Sequence, residues 1–369
     1  MYKILIGLFL SVLCLQAKCQ MQFDEGSFSE VLAKAKQEKR MVFMDCYTSW
    51  CGPCKMMAQE VFSREDVGQF MNTRFVNVKL DMEKGEGREL AKKYQVKVYP
   101  TFLILNEDGE VIHKMVGGMK AEEFLQHVQN GIGEHSLYSY EKRYAEGERD
   151  PQFVYSYIET LARAFMKERM EEVLHEYWGT LTDQEKSCKE NWMLVKRFVK
   201  NPALPEYKYL LEHKKDFDAA VSKDSVDRKI YDDLFPLIVN DCNEIIFHDK
   251  VNALQLLDTY KTSVTQSGIA GQDYLLDIVE FTKVFLSGDL KKALKMYDKK
   301  FSRLDSDARF DVTLQLNGML IRKGDAKMCE RGLELIERTM KDCGWSEDNP
   351  LFAAVVSGLK DKFKDNKDE

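Results

Sequence analysis

The segment that most limits how this chain can fold is a short apolar run leading into a pair of cysteines. Met41-Val42-Phe43-Met44-Asp45-Cys46 reads as a strand buried on both faces of a sheet. Cys51 and Cys54 follow, two residues apart, with Pro53 beside the second. Proline is tolerated just inside a helix start, where its missing amide costs little. A helix therefore begins at the cysteine pair and runs to about Phe62. Open α/β sheets place their sites at such a junction, beyond the C-terminal end of a strand.

Neighbouring residues extend the pattern. Ser27-Phe28-Ser29-Glu30 is a capping box, in which a hydroxyl and a carboxylate each satisfy a free amide at a helix start. The helix it opens runs through Val31, Leu32 and Ala35 to about Glu38. Ser63 is placed to cap another through Phe70. Phe75 to Leu80 reads as a strand, Gly87 to Tyr94 as a helix, and Thr101 to Leu105 as a strand. Asn106-Glu107-Asp108-Gly109 is a hairpin turn in which Gly109 supplies positive φ. Glu110 to Val116 is the partner strand and Glu122 to Gln129 a closing helix. This order predicts a central mixed sheet flanked by helices.

After about Gly133 the strand-like runs vanish. Met166–Tyr177, Val226–Phe247, Tyr274–Leu286, Lys291–Phe301 and Asp311–Ile321 carry apolar residues at three- and four-residue spacing. Pro151 and the Asn201–Pro205 stretch interrupt the pattern, and Pro236 is expected to start or kink a helix. The turns Gly288-Asp289 and Gly324-Asp325 lie 36 residues apart. That is near the period of about 34 of tetratricopeptide-type hairpins. An irregular array of helical hairpins and a compact helical domain both fit. The expected division is a leader over 1–19, an α/β domain over 20–135 and an all-helical domain over 136–369.

The leader has Lys3 as its only charge before an apolar run from Ile4 to Leu15, followed by Gln16-Ala17-Lys18-Cys19. That is the pattern of a secretory signal peptide. The run falls short of the roughly 20 residues a membrane-spanning helix needs. Cleavage after Ala17 or after Cys19 fits. A lipoprotein signal acylated at Cys19 and an uncleaved anchor are alternatives, and Lys18 counts against the first. The leader implies export. With 44% hydrophobic and 31% charged residues the composition is that of a soluble globular protein. A net charge of -7 gives no basis for a nucleic-acid partner.

Of nine cysteines, only Cys51 and Cys54 have a spacing with chemical meaning. Cys188, Cys242, Cys329 and Cys343 are scattered, and a buried structural thiol is the default for each. A Cys-x-x-Cys pair serves zinc binding or thiol exchange. Zinc needs four ligands, usually from a second such pair or a histidine pair, and the six histidines are dispersed. No metal and no cofactor are therefore expected. Exchange accounts for more residues. A cysteine in the first turn of a helix faces free amides and the positive end of the dipole, which stabilise a thiolate. Cys51 is then the nucleophile, and Cys54, one turn deeper, the resolving thiol. Trp50 can shield the pair from water.

Trp50-Cys51-Gly52-Pro53-Cys54-Lys55 is identical to the active-site hexapeptide typical of thioredoxins, and residues 25 to 133 resemble that family. The span 41–118 looks closest to the thioredoxin-like domains of bacterial envelope thiol–disulfide interchange proteins. The resemblance implies a thioredoxin fold. It implies that Asp45 is the buried acid that exchanges a proton with the resolving cysteine, and that Lys79 is the lysine near it. Pro100, 46 residues beyond Cys54, stands where the family has its cis-proline. The backbone of Tyr99 would pair with a bound client, and Gly117 matches a glycine near the same groove. Gly52 and Pro53 would complete the client surface. Plainer readings exist: Asp45 as a strand-end carboxylate, Lys79 as a solvated edge residue, Lys55 as a helix-surface charge. Tyr99 is bulkier than the aliphatic residue usual there. Cys46 is an extra thiol, placed by strand alternation on the face opposite Asp45. It reads as a core residue, with a third redox thiol as the alternative.

The resemblance implies an exported thiol–disulfide oxidoreductase, located in the periplasm of a bacterial cell envelope, that reduces the disulfides of client proteins, since Gly52-Pro53 matches the reducing members. Electrons would come from a membrane thiol reductase. The alternatives are an oxidase or isomerase, or a binding module whose helical region recognises clients, with Tyr138, Tyr140, Tyr144, Phe153 and Tyr155 as the start of its surface.

Overall fold

A computed structural model describes residues 20–248, 250–304, 306–344 and 350–365. The expected signal segment, with Cys14 and Cys19, lies outside the described residues. The chain forms two compact units, divided between Thr180 and Leu181.

The first unit opens with α1 (Phe28–Glu38), capped as its sequence predicts. Ser27 N–H donates to Glu30 Oε2 at 2.8 Å and Glu30 N–H to Ser27 Oγ at 3.4 Å. Then follow β1 (Met41–Tyr47) and α2 (Gly52–Met56), which runs on as a π-helical turn, Met57–Val61. Next come α3 (Glu65–Arg74), β2 (Phe75–Asp81), α4 (Gly87–Lys93), β3 (Thr101–Leu105), β4 (Val111–Val116) and α5 (Ala121–Gly131). The sheet order is β2-β1-β3-β4, with β1 parallel to β2 and the other pairs antiparallel. This is the expected mixed sheet, with β1 inside it and the cysteine pair just beyond the end of β1.

Ser63 caps nothing. Its hydroxyl donates back to Gln59 O at 2.6 Å, and Arg64 stands at the N-cap of α3 without a side-chain bond. The first-turn acids Glu65 and Asp66 answer the positive helix end instead. The hairpin turn is as expected, with Gly109 at φ 80° and Asn106 Oδ1 accepting the amides of Asp108 and Glu110.

Alternation along β1 gives the sheet two cores. Phe43 faces an aromatic cluster with Phe62, Phe75, Phe102 and Phe124, stacking on Phe102 at 5.8 Å. Val42, Met44 and Cys46 face the other way, among Val31, Ala35, Val78 and Leu103. Each of these large side chains stabilises the fold by about 1.5–3 kcal/mol on full burial.

The unit continues past the change of texture at Gly133 through α6 (Leu137–Ala145), α7 (Pro151–Arg163) and α8 (Lys167–Thr180). His113 of β4 ties α6 down, its Nδ1 accepting the Leu137 amide at 3.2 Å. Burial pushes its pKa down to about 4, so the ring is neutral at pH 7 and carries its proton on Nε2. Tyr140, Tyr144 and Phe153 are buried against Tyr157. They are core, and of the five aromatics named above Tyr138 is the one exposed.

The second unit is largely helical: α9 (Asp183–Lys186), α10 (Lys189–Phe198), α11 (Pro205–Glu212), α12 (Lys214–Ala220), α13 (Lys223–His248), α14 (Ala253–Ser267), α15 (Gln272–Ser287), α16 (Leu290–Lys300), α17 (Ser306–Lys323), α18 (Ala326–Cys343) and α19 (Pro350–Asp365). Pro236 starts no helix and lies inside α13. Both Gly-Asp turns join consecutive helices. Asp289 caps α16 through the Lys292 amide at 2.9 Å, and Asp325 caps α18 through the Met328 amide at 2.8 Å. Cys188, Cys242, Cys329 and Cys343 are free thiols.

Candidate active site

The site is built on the start of α2. Cys51 is its N-cap; the Cys51 amide donates to Thr48 O at 3.2 Å. Its Sγ accepts the Cys54 N–H at 3.1 Å. The two sulfurs are joined in a disulfide. Pro53, in the first turn, removes an amide that would have no helical partner. A thiolate released at Cys51 thus meets a ready amide and the positive helix end. Cys51 and Cys54 are 3% and 6% exposed, while Trp50 beside them is 65% exposed. Trp50 is a wall at the solvent rather than a buried lid. Its indole stands edge-on to Tyr99 at 6.1 Å and donates to Glu83 Oε2 at 3.0 Å.

Two further segments close on this turn. The Tyr99–Pro100 peptide bond is cis. Pro100 O accepts the Gly117 amide at 2.9 Å, and Gly117 has φ 98°. Gly118 lies so close that a Cβ there would stand 2.9 Å from Met56 Cε and 3.3 Å from Pro53 Cβ. The Met119 amide donates to Met57 Sδ at 3.3 Å. Trp50, Pro53, Tyr99, Pro100 and Gly117 are thereby brought together around Cys51 and Cys54. Gly52 exposes its backbone, with open space where a Cβ would be.

Asp45 lies on β1, in register between Lys79 of β2 and Phe102 of β3. Alternation sets it on the Phe43 face, at the edge of the aromatic cluster. It is buried, and its Oδ1 has no hydrogen-bond partner. Burial pushes its pKa up to about 7, opposed by the positive charge of Lys79. The carboxyl can therefore take and release a proton near neutrality. Lys79 is exposed, makes no ion pair with Asp45, and holds its ammonium 5.4 Å over the Phe23 ring. Cys46 is buried on the opposite face, and burial pushes its thiol well up. It is a core thiol, in no state to act as a third nucleophile.

Sequence reasoning missed Thr48, Glu83 and Gly118. The Gly117-Gly118 doublet was a visible signal for close backbone approach. Nothing local marks Glu83, which meets Trp50 across 33 residues.

Residues 28–132 match the family model described as a thioredoxin-like domain. A thioredoxin-like protein of Synechocystis is 35% identical over 104 residues, which cover 28% of this chain and 90% of the relative. The thioredoxin of Bacillus subtilis is 40% identical over 96 residues, 26% of this chain and 86% of its own. Among solved structures, the solution structure of a candidate disulphide isomerase from Bacteroides thetaiotaomicron is 48% identical. It covers 31% of this chain and 93% of that one, with a TM-score of 0.29.

Proposed function

Because the chain belongs to the thioredoxin-like family of thiol–disulfide oxidoreductases, we propose that it reduces protein disulfides in the bacterial cell envelope, with electrons from a membrane thiol reductase. One observation carries the chemistry: Cys51 Sγ is the N-cap acceptor of α2 and has Cys54 as its partner one turn on.

In the dithiol form, the Cys51 thiolate attacks one sulfur of a client disulfide. The client S–S bond breaks, a Cys51–client bond forms, and one client thiolate leaves. Asp45 takes the proton of Cys54. The Cys54 thiolate then attacks Cys51 Sγ and expels the second client thiolate. Two electrons have passed to the client, and the Cys51–Cys54 disulfide awaits reduction by the donor. Tyr99, Pro100 and Gly117 form the surface on which the client backbone rests, with Trp50, Gly52 and Pro53 around the sulfurs. The reducing direction draws on the Gly52-Pro53 pair, and the export on Lys3 and the run from Ile4 to Leu15.

Equilibrating the pair with glutathione buffers tests the direction. A potential near about -270 mV, that of thioredoxin, is expected; one near about -120 mV makes disulfide formation the task.

A further inference from the structure

The strand β4 is the edge of the sheet, and a cleft of about 730 Å³ runs beside it. His113, Lys114, Met115 and Val116 all line this cleft. Successive strand residues point to opposite faces, so a cleft lined by four in a row follows the open edge itself. The Gly117 amide bonds Pro100 O, which fixes the ladder. Pairs alternate in an antiparallel ribbon, so Met115 and His113 exchange bonds with β3 while Lys114 and Val116 turn their N–H and C=O groups outward. Sheet edges of this kind are templates for another strand.

The cleft is continuous with the redox turn. One of its lining residues is Gly118, whose backbone rests on Pro53. A second cavity of about 490 Å³ shares Lys114 and Phe165 with it and reaches Val98, the neighbour of Tyr99. The cleft's polar side chains have partners: Arg163 meets Glu159 at 3.1 Å, His127 stands 3.6 Å from Glu123, and Lys114 Nζ donates to Gln95 O at 3.2 Å. Such a lining selects main chain rather than client charge.

Phe165 marks the rim. Helix α7 ends in a Schellman pattern, with the Phe165 amide on Ala162 O and the Met166 amide on Leu161 O. Glycine is usual at the left-handed position of this motif. Here it holds a phenylalanine at φ 55° that is 63% exposed. A bulky residue kept in an unfavourable conformation, with its ring in solvent beside two cavities, is serving something other than the fold.

We propose that this cleft is a client groove: the extended main chain flanking the reactive cysteine of a disulfide-bearing protein adds to β4 at Lys114 and Val116, with Phe165 packed over it. The proposal rests on exchange at Cys51. The test uses the full chain with Cys54→Ser, trapped through Cys51 as a mixed disulfide by exchange with the symmetrical disulfide of a short linear peptide carrying one cysteine, one peptide thiolate leaving, and in parallel with glutathione disulfide. Hydrogen exchange at the Lys114 and Val116 amides should slow by about tenfold or more in the peptide adduct and not in the glutathione adduct. If both adducts form and neither protects these amides, the groove is wrong and the redox reading stands. If no adduct forms at Cys51, both fall. Phe165→Gly keeps the left-handed turn; it should raise KM for a peptide disulfide by about tenfold without lowering thermal stability. An unchanged KM overturns the role of Phe165.

Discussion

Each unit of the molecule buries an aspartate, and the two are treated in opposite ways. In the second unit, burial raises the pKa of Asp233, but Lys229 one turn away contacts its carboxylate. Lys229 also donates to Val199 O at 2.8 Å and lies 5.5 Å over the Tyr207 ring. In the first unit, Asp45 has one oxygen with no partner, and its nearest cation, Lys79, stays at the surface. A buried pair with its bonds made holds helices in register. A buried carboxyl left alone becomes an acid that titrates near neutrality. The difference separates architecture from chemistry by the company a charge keeps, since burial is common to both.

The largest expected effect breaks the satisfied pair. Lys229→Met strands the Asp233 charge in the interior and should destabilise the second unit by roughly 3–5 kcal/mol. Adding Asp233→Leu should recover most of that loss. Urea denaturation of the full chain reads both, and a cost below about 1 kcal/mol for Lys229→Met would mean the pair holds little.

Asp45→Asn should act with the opposite sign. The folded pKa of Asp45 is raised from 3.8 to about 7. Its contribution is therefore fully favourable below the unfolded value and is lost as pH rises through about 7. An asparagine has no charge to bury. At pH 8 the variant should be more stable by roughly 2–4 kcal/mol, with the gain gone at pH 4, while the resolving step slows. Identical stability profiles for variant and wild type across this range would refute the assignment.

His113 sharpens the contrast once Asp45 is silenced. Its folded pKa is depressed from 6.5 to about 4, so its contribution is present above pH 6.5 and is lost as pH falls through 4. In the Asp45→Asn background, acidification should then cost the first unit roughly 2–3 kcal/mol. The check is the sign of the remaining slope.

What could be read in advance follows the range of the interaction. The Ser27–Glu30 box, the turn at Asn106–Gly109 and the strand of Met41–Cys46 are set by neighbours in sequence, and each is found. Pro53 after Cys51 announces a helix start for the same reason. The Ser63 cap fails because its hydroxyl has a competing carbonyl, Gln59 O, one turn back. The bond from Trp50 to Glu83, the seat of Gly118 on Pro53 and the His113 anchor of α6 join residues far apart in the chain. No periodicity records them. The first unit reaches Thr180 for that reason, since long-range contacts bind α6 to the sheet while the texture of the sequence has already changed. Asp45 shows both limits. Its position could be matched to a family, but its isolation could be seen only in three dimensions.

The smallest effect on stability should come from Trp50, which is 65% exposed. Trp50→Phe keeps an aromatic edge toward Tyr99 and removes the N–H that reaches Glu83. An exposed hydrogen bond of this kind is matched by water when lost, so stability should move by no more than about 0.5 kcal/mol. The rate of exchange with a disulfide-bearing protein should still fall by about two- to fivefold, because the ring beside Cys51 is no longer held by Glu83. Full-chain denaturation and a turnover assay separate the two outcomes. A stability loss above about 1 kcal/mol with unchanged turnover would place Trp50 with Asp233, among the groups that hold the fold, and remove it from the client surface.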